Sequence, residues 1–239
     1  MKKLGVNIDH IATVRNARGE DHPHPFLLAK KAVKFGADSI TIHLREDRRH
    51  INDYDLKKIS SLKNVPLNLE MAGTLNMLRI ALKYKPNYVC IVPEKRKEIT
   101  TEGGLNLKKN KIKIKKIIQK LNKSKIRTSL FINPSLSDIR IAKELGAKCI
   151  EIHTGRISNK VKKKQKYKKE FQIIKKCAKF AESLKLQVHA GHGLDYKTTK
   201  ILNRITQINE YNIGHFIIGE SIQYGLRKVI KRFKKILNN

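Results

Sequence analysis

Cysteine is scarce in this chain of 239 residues, which contains only Cys90, Cys149 and Cys177 and no CxxC spacing. An odd and scattered set of cysteines argues against a disulfide framework and against a cysteine-rich zinc site. It favours a reducing compartment, so we expect a cytoplasmic protein. Cys90 and Cys149 lie in apolar stretches, where core packing is the simplest role.

Long apolar runs are also missing. No stretch of the sequence is long enough to span a bilayer, so no membrane partner is expected. The N-terminus becomes polar at Asn7 and Asp9, too soon for a signal peptide. No internal repeat or change of composition marks a second domain, and the length suits one large core. We therefore expect one domain over residues 1–239.

Acidic residues are few: 20 Asp and Glu stand against 53 Lys and Arg, giving a formal net charge of +33. Such a charge suggests a nucleic-acid or anionic-membrane partner. However, the lysine-rich runs at 108–116 and 160–169 contain almost no arginine and few aromatic residues, which base readout and stacking require. We interpret the charge as a solvated surface, with incidental polyanion affinity as the alternative, and predict no specific nucleic-acid partner.

What the sequence does contain is a regular alternation of apolar, strand-like runs with helical stretches. Strands are predicted at 4–8, 39–42, 65–70, 88–92, 127–132, 148–152, 186–189 and 210–213. Helices are predicted at about 25–36, 53–63, 75–84, 107–122, 135–145, 159–184, 196–203 and 221–236, with a polar loop containing Arg15 and Arg18 after the first strand. Alternation of this kind indicates parallel strands.

Eight such units predict an α/β fold, a single-domain (β/α)8 TIM barrel with extra short helices. The alternative is an open doubly wound sheet. That fold usually has fewer strands and a glycine fingerprint after the first one, where this chain has Asn7-Ile8-Asp9-His10.

Polar residues follow the predicted strands, most densely in the stretch from Thr41 to His50. In a barrel, the C-terminal ends of all strands open into one mouth. The residues that would meet there are Asn7, Asp9, His10, His43, Arg45, His50, Glu70, Thr100, Glu151, His153, His192, Gly193, Gly214 and His215. Each alone has a structural explanation, such as a charged loop, a helix-terminal carboxylate or a core histidine. Seven of eight strand ends with ionisable groups together favour a functional site.

The residue types at this mouth suggest proton transfer on phosphorylated molecules. Gly193 and the pair Gly214-His215 follow the last two strands, where this fold commonly binds phosphate through backbone N–H groups. Arg18, Arg45 and His50 are candidates for a second anion site. The remaining candidates, His43, Glu70 and His192, are plausible proton carriers. We therefore expect two phosphorylated small-molecule substrates, or one substrate with two phosphates.

Other chemistries are less well supported. A metal-dependent phosphohydrolase barrel agrees with the number of histidines and carboxylates, yet no HxH or HExxH pairing is present. A polyanion-binding protein on a barrel scaffold is favoured by charge alone. Lys95 is the only lysine at a strand end, so an aldolase acting through an enzyme Schiff base has weak support.

Eight motifs, in order along residues 4–235, resemble the family of pyridoxine 5'-phosphate synthases. They are Gly5-Val6-Asn7-Ile8-Asp9-His10-Ile11-Ala12-Thr13, Ile42-His43-Leu44-Arg45-Glu46-Asp47-Arg48-Arg49-His50-Ile51, Asn68-Leu69-Glu70-Met71, Val92-Pro93-Glu94-Lys95-Arg96, Thr100-Thr101-Glu102-Gly103-Gly104, Glu151-Ile152-His153-Thr154-Gly155, Ala190-Gly191-His192-Gly193-Leu194 and Asn212-Ile213-Gly214-His215. The departures lie between the motifs, in lysine-rich helices and a variable stretch near 157–170.

The resemblance implies a transferase of vitamin B6 biosynthesis that condenses 3-amino-2-oxopropyl phosphate with 1-deoxy-D-xylulose 5-phosphate, without a metal or organic cofactor. It also implies a homo-octamer, which the residues alone do not indicate. By the matching motifs, the contacts to the amino-ketone phosphate are Asn7, Arg18, Gly193, Gly214 and His215. Those to the deoxyxylulose phosphate are Asp9, His10, Arg45, His50 and Thr100. The implied proton acceptors are His43 and Glu70, the donor is His192, and the transition-state stabiliser is Glu151.

Overall fold

Eight parallel strands form a closed barrel in sequential order in the computed structural model, which describes residues 1–94 and 103–239. The strands are β1 (Lys3–Asn7), β2 (Ser39–His43), β3 (Leu67–Ala72), β4 (Tyr88–Val92), β5 (Arg127–Ile132), β6 (Cys149–His153), β7 (Gln187–Gly191) and β8 (Glu210–Ile213). β1 pairs with both β2 and β8, which closes the barrel. The predicted (β/α)8 barrel is confirmed, and the open sheet is excluded.

The described residues include eleven helices around the strands. They are α1 (Asp9–Arg18), α2 (Pro25–Lys34), α3 (Asp53–Ser60), α4 (Leu75–Tyr84), α5 (Lys111–Lys123), α6 (Leu136–Glu144), α7 (Gly155–Lys162), α8 (Lys168–Ser183), α9 (Tyr196–Leu202), α10 (His215–Tyr224) and α11 (Leu226–Asn238). Their apolar faces pack on the strands, as in α11, where Val229, Ile230 and Phe233 are buried. Three strands, β1, β6 and β8, are each followed by two helices, so α1, α7 and α10 are the extra ones.

The prediction of a polar loop after β1 was wrong, because residues 9–18 form helix α1. The helix has few apolar residues: Ile11 and Ala12 are buried in the core, and a buried ion pair adds to this short apolar contact. Arg15 donates from Nη1 and Nη2 to Asp55 of α3 at 2.6 and 2.9 Å. The helix ends at Gly19, whose φ of +69° is the left-handed conformation favoured at helix C-termini.

Several predicted boundaries also need correction. β3 was expected to end at Glu70, but it continues to Ala72. The helix predicted from 107 begins at Lys111. The long helical region predicted at 159–184 is two helices, α7 and α8, and the C-terminal part likewise divides into α10 and α11. Local apolar patterns did not reveal the turns between these helices.

The barrel interior is polar, which is unusual for a fold whose interior is generally filled by branched apolar residues. Ser39 of β2 donates to Glu210 of β8 at 2.8 Å, across β1. Asn212 of β8 donates to Glu151 of β6 at 2.6 Å, across β7.

Each of these two hydrogen bonds crosses a strand that has a glycine facing the barrel interior. A Cβ atom at Gly5 of β1 would lie 2.0 Å from Asn212 Oδ1, and one at Gly191 of β7 would lie 2.0 Å from Glu151 Oε1. The two glycines therefore make room for polar bridges through the barrel.

The Arg15–Asp55 pair should be important for stability. The side chains are only 8% and 2% exposed, so Asp55→Asn would leave a buried, unpaired guanidinium. We expect the free energy of unfolding to fall by about 3–5 kcal/mol, measured by urea denaturation. Asp53→Asn is the matched control, since Asp53 pairs with Arg48 but its side chain is 57% exposed. Its free energy of unfolding should fall by less than about 1 kcal/mol. Equal losses in both variants would contradict this role.

Candidate active site

The ends of β1 and β2 are held together by a carboxylate. Asp9, the first residue of α1, accepts from the backbone N–H of His43 at 2.8 Å through Oδ1. Its other oxygen accepts from Asn7 Nδ2 at 2.9 Å, while the Asp9 N–H donates to Asn7 Oδ1 at 2.9 Å. Three of the residues predicted for the site are therefore in direct contact at the mouth.

The imidazole of His43 lies between two carboxyl groups. Its Nε2 is 2.8 Å from Glu94 Oε1, and its Nδ1 is 3.9 Å from Glu70 Oε2. Glu94 follows β4, whereas Glu70 is in β3. His43 is nearly buried, so these carboxyl groups dominate its surroundings.

The two glutamates inside the mouth are unusually basic. Burial raises the pKa of Glu70 well above its ordinary value, and the negative charges of Glu151 and Asp9 raise it further. Burial also raises the pKa of Glu151 to about 7; the bond from Asn212 opposes this change, and the charge of Glu210 adds to it. A carboxyl group with a pKa of about 7, as in Glu151, can accept and return a proton near neutral pH.

The opposite wall of the mouth contains His192, with a backbone φ of +77° that non-glycine residues rarely adopt. Thr154 Oγ1 lies 2.8 and 2.7 Å from the carbonyl oxygens of Gly191 and His192, and its single proton can be donated to either of them, which supports this conformation. The His192 ring lies 4.8 Å from that of His153. Burial, and then the charge of Lys162, lowers the pKa of His192.

A helix N-terminus opens beside these groups. Gly214 precedes α10 and has no side chain to cap it, so the first-turn N–H groups are available to an anion. A Cβ atom on Gly214 would lie 3.0 Å from Asn7. His215 lies at the same place, with its ring 5.0 Å from that of His10. Gly193, with a φ of +76°, follows His192 on the other side.

The remaining predicted residues differ in where they lie. His50 is close to His43, with ring centroids 6.1 Å apart, and burial lowers its pKa more than the nearby charge of Asp9 raises it. Arg45 is buried, and its Nε lies 3.4 Å from Asp47 Oδ1.

Arg18 is not brought to the mouth of its own barrel: it ends α1, with its side chain 80% exposed. Thr100 and Lys95 lie outside the described residues.

Two residues at the mouth were missing from the predicted set. Glu94 contacts His43, and Asn212 donates to Glu151. Both belong to motifs noted in the sequence, and Asn212 could have been found by alternation, because it lies two residues after the inward-facing Glu210 in β8. Nothing in the sequence indicates that Glu94 would reach across β3 to His43.

The raised pKa of Glu151 predicts a pH-dependent effect on stability. The folded state holds this proton up to about pH 7, whereas the unfolded carboxyl loses it near 4.5, so stability declines as pH rises between these values. Glu151→Gln cannot ionise. We therefore compare the free energy of unfolding of Glu151→Gln with that of the unsubstituted protein by urea denaturation. The difference, variant minus unsubstituted protein, should be larger at pH 8 than at pH 5. A relative stability that is constant or lower at pH 8 would contradict this. Glu182→Gln, on an exposed part of α8, controls for charge removal.

Within residues 1–94 and 103–239, no group of three or more His, Cys, Asp or Glu residues is arranged to hold a metal ion. None of the helices in these portions is long and apolar enough to cross a membrane.

The fold and the mouth together define a (β/α)8-barrel enzyme with its reactive side chains at the C-terminal ends of the strands. The model of the family described as "Pyridoxal phosphate biosynthesis protein PdxJ" matches residues 4–239, and the chain belongs to this family. The pyridoxine 5'-phosphate synthase of Pelagibacter ubique is 62% identical over 100% of both chains. That of Zymomonas mobilis is 50% identical, over 99% of this chain and 91% of the relative.

Solved structures with similar folds are more distant in sequence. The N-(5'-phosphoribosyl)anthranilate isomerase of Pyrococcus furiosus superposes with a TM-score of 0.65 at 12% identity, covering 100% of both chains. A mutant tryptophan synthase alpha-subunit from the same organism gives 0.64 at 11% identity, covering 100% of this chain and 98% of the other. At this identity the likeness shows the barrel alone.

Proposed function

We propose that this chain catalyses the pyridoxine 5'-phosphate synthase reaction, in which 3-amino-2-oxopropyl phosphate and 1-deoxy-D-xylulose 5-phosphate give pyridoxine 5'-phosphate, inorganic phosphate and water. The observation that carries the proposal is the 62% identity, over the full length of both chains, to a relative with that name. The geometry supports the chemistry, because the mouth combines proton-carrying groups with an uncapped helix N-terminus.

The proton transfers are assigned to four residues. An amine and a ketone lose water to form an imine, so one group must take the amine proton and another must protonate the departing oxygen. We assign His43 and Glu70 as acceptors, because an imidazole nitrogen and a carboxyl group of raised pKa lie 3.9 Å apart at the mouth. His192, on the opposite wall, is the donor that assists the departure of phosphate, and Glu151 stabilises charge in the transition state.

The two phosphates are assigned to two sides of the mouth. The first-turn N–H groups of α10 donate to the phosphate of the amino-ketone. The other contacts assigned to this phosphate are Asn7, Arg18, Gly193, Gly214 and His215. The deoxyxylulose phosphate lies toward β2, where the contacts are Asp9, His10, Arg45, His50 and Thr100. The burial of Arg45 and its closeness to His50 support this second site.

We propose further that residues 1–239 act as one catalytic domain in a cytoplasmic homo-oligomer, an octamer by family resemblance. Exposed apolar side chains on α1 and α10 support association: Val14 is 50% exposed and Ile222 is 79% exposed. The exposed Arg18, which ends α1, would then reach the amino-ketone phosphate in the mouth of a second copy.

The decisive experiment mixes both substrates with the purified protein. Pyridoxine phosphate and free phosphate should appear in equal amounts, and neither substrate alone should release phosphate. Release of phosphate from one substrate without the other would instead indicate a phosphohydrolase. Light scattering on the same preparation gives the mass of the oligomer.

The assignment of the amino-ketone phosphate to α10 can be tested at Gly214. A valine there would contact Asn7 and obstruct the approach to the helix N-terminus, because a Cβ atom is already 3.0 Å from Asn7. We expect Gly214→Val to weaken binding of the amino-ketone phosphate at least about tenfold, or 1.4 kcal/mol, and binding of the deoxyxylulose phosphate much less, by titration calorimetry.

Gly219→Val is the matched control in the same helix, where no atom lies within 4 Å of the added Cβ. Equal weakening of both ligands by Gly214→Val, in a folded protein, would show that the two phosphate sites are misassigned.

A further inference from the structure

Glu94 is placed to control the protonation of His43. It lies directly after β4, and its side chain is only 8% exposed. Its Oε1 is 2.8 Å from Nε2 of His43, while its Oε2 accepts from the backbone N–H of Glu46 at 3.0 Å. Glu46 in turn accepts from Thr74 Oγ1, at the start of α4, at 2.9 Å. The carboxyl group is therefore fixed at both oxygens.

This environment keeps Glu94 ionised. Burial by itself would raise the pKa of its carboxyl group, but the hydrogen bond and the charge of His43, the hydrogen bond from the Glu46 N–H and the charge of Arg45 outweigh burial and lower the pKa. An ionised carboxylate only accepts hydrogen bonds. Both of its neighbours must then act as donors.

The consequence for His43 follows from the chemistry of imidazole. A neutral imidazole carries one proton, and the nitrogen opposite that proton has the free lone pair. If Nε2 donates to Glu94, then Nδ1 is the basic nitrogen. Nδ1 faces Glu70 at 3.9 Å, a distance too long for a direct hydrogen bond, so a reacting group of the substrate could lie between them.

We infer that Glu94 is a positioning residue, which fixes the Nε2–H tautomer of His43 and so presents Nδ1 as the proton-accepting nitrogen. This inference rests on the proposed function, in which His43 is a proton acceptor. A carboxylate behind a histidine orients the ring and stabilises the imidazolium that forms when it takes a proton. Among residues 1–94 and 103–239, the other charged or titratable groups around His43 are Asp9, Arg45, His50 and Glu70.

Glu94→Gln separates this role from simple bracing of the loop. Glutamine keeps the size of the side chain but offers one oxygen where Glu94 uses two. Its NH2 group must face either His43 or the Glu46 N–H, and facing His43 would favour the Nδ1–H tautomer. The imidazolium also loses the negative charge beside it.

We expect kcat of Glu94→Gln to fall by about 10–100-fold with little change in KM. The ascending limb of the pH profile of kcat should move to lower pH, because the imidazolium is less stabilised. Glu94→Asp keeps the charge and should return the limb toward its original position. Glu46→Gln is the control for charge near the mouth, since only the backbone of Glu46 contacts Glu94; it should leave the profile unchanged.

A direct reading of the tautomer makes the test independent of turnover. Nitrogen-15 NMR of ring-labelled histidine, with the His43 signals assigned by their absence in His43→Asn, should show Nε2–H in the unsubstituted protein and a shift toward Nδ1–H in Glu94→Gln. An unchanged tautomer and an unmoved pH limb in a folded Glu94→Gln protein would overturn the inference. Failure of the proposed function would appear differently, as no pyridoxine phosphate from the unsubstituted protein, while the NMR result would still stand.

Discussion

Glu70→Gln is expected to lower kcat by about 10²–10⁴-fold, the usual contribution of general acid–base catalysis. Glutamine preserves the size of the side chain and much of its hydrogen bonding, but it cannot accept and return a proton. Burial raises the pKa of the Glu70 carboxyl group well above its ordinary value, and the charges of Glu151 and Asp9 raise it further, so this carboxylate binds a proton more strongly than an ordinary glutamate does.

The affinity for each substrate should change little in Glu70→Gln, because neither phosphate is assigned to this residue. Single-turnover kinetics, combined with titration of each substrate separately, distinguishes the two effects. Near-normal turnover, or a defect explained by weak binding, would remove Glu70 from the catalytic set and leave His43 and His192 as the acid–base candidates.

Gly191→Ala is also expected to lower kcat, although glycine has no functional group of its own. The added methyl carbon would lie 2.0 Å from Glu151 Oε1, so the carboxyl group must leave its position and its bond from Asn212. If Glu151 stabilises charge in the transition state, its displacement should reduce kcat by about 10²–10³-fold.

Gly219→Ala, where the added carbon contacts nothing within 4 Å, should retain full activity. Both variants should be compared by steady-state kinetics and by circular dichroism, which establishes that the barrel is intact. A folded Gly191→Ala enzyme with normal kcat would show that the position of Glu151 does not matter for the reaction.

Strands and helices that are bounded by clear local sequence signals lie where the sequence predicts them. β4, β5 and α4 have the predicted bounds, because each is an apolar or amphipathic run between clear turn signals. Helix α1 was missed because it buries few apolar residues and one of its buried contacts is an ion pair between Arg15 and Asp55, 40 positions apart in the chain. Its terminal signals, Asp9 in the first turn and Gly19 after the last, were nevertheless present.

The positions of many predicted site residues follow from the ends of the strands, while their roles stay predictions. Barrel topology alone brings residues such as Asn7, His43 and Glu151 to the same mouth, so their positions follow once eight strands are recognised. Side-chain contacts such as that between Glu94 and His43 depend on rotamers and loop paths that no periodicity encodes. Arg18 shows the same limit, since a helix carries it away from the strand end that precedes it.

The polar bridge through β7 also constrains how this barrel can change over evolutionary time. A Cβ atom at position 191 overlaps the present position of the Glu151 carboxyl group, so we expect the two positions to be epistatic. A shorter acid, as in Glu151→Asp, would have to be accepted before position 191 could enlarge, and the reverse order would pass through an impaired enzyme. Lineages of this barrel should therefore retain glycine at 191 for as long as they retain glutamate at 151, and a double variant carrying Glu151→Asp with Gly191→Ala should be more active than Gly191→Ala alone.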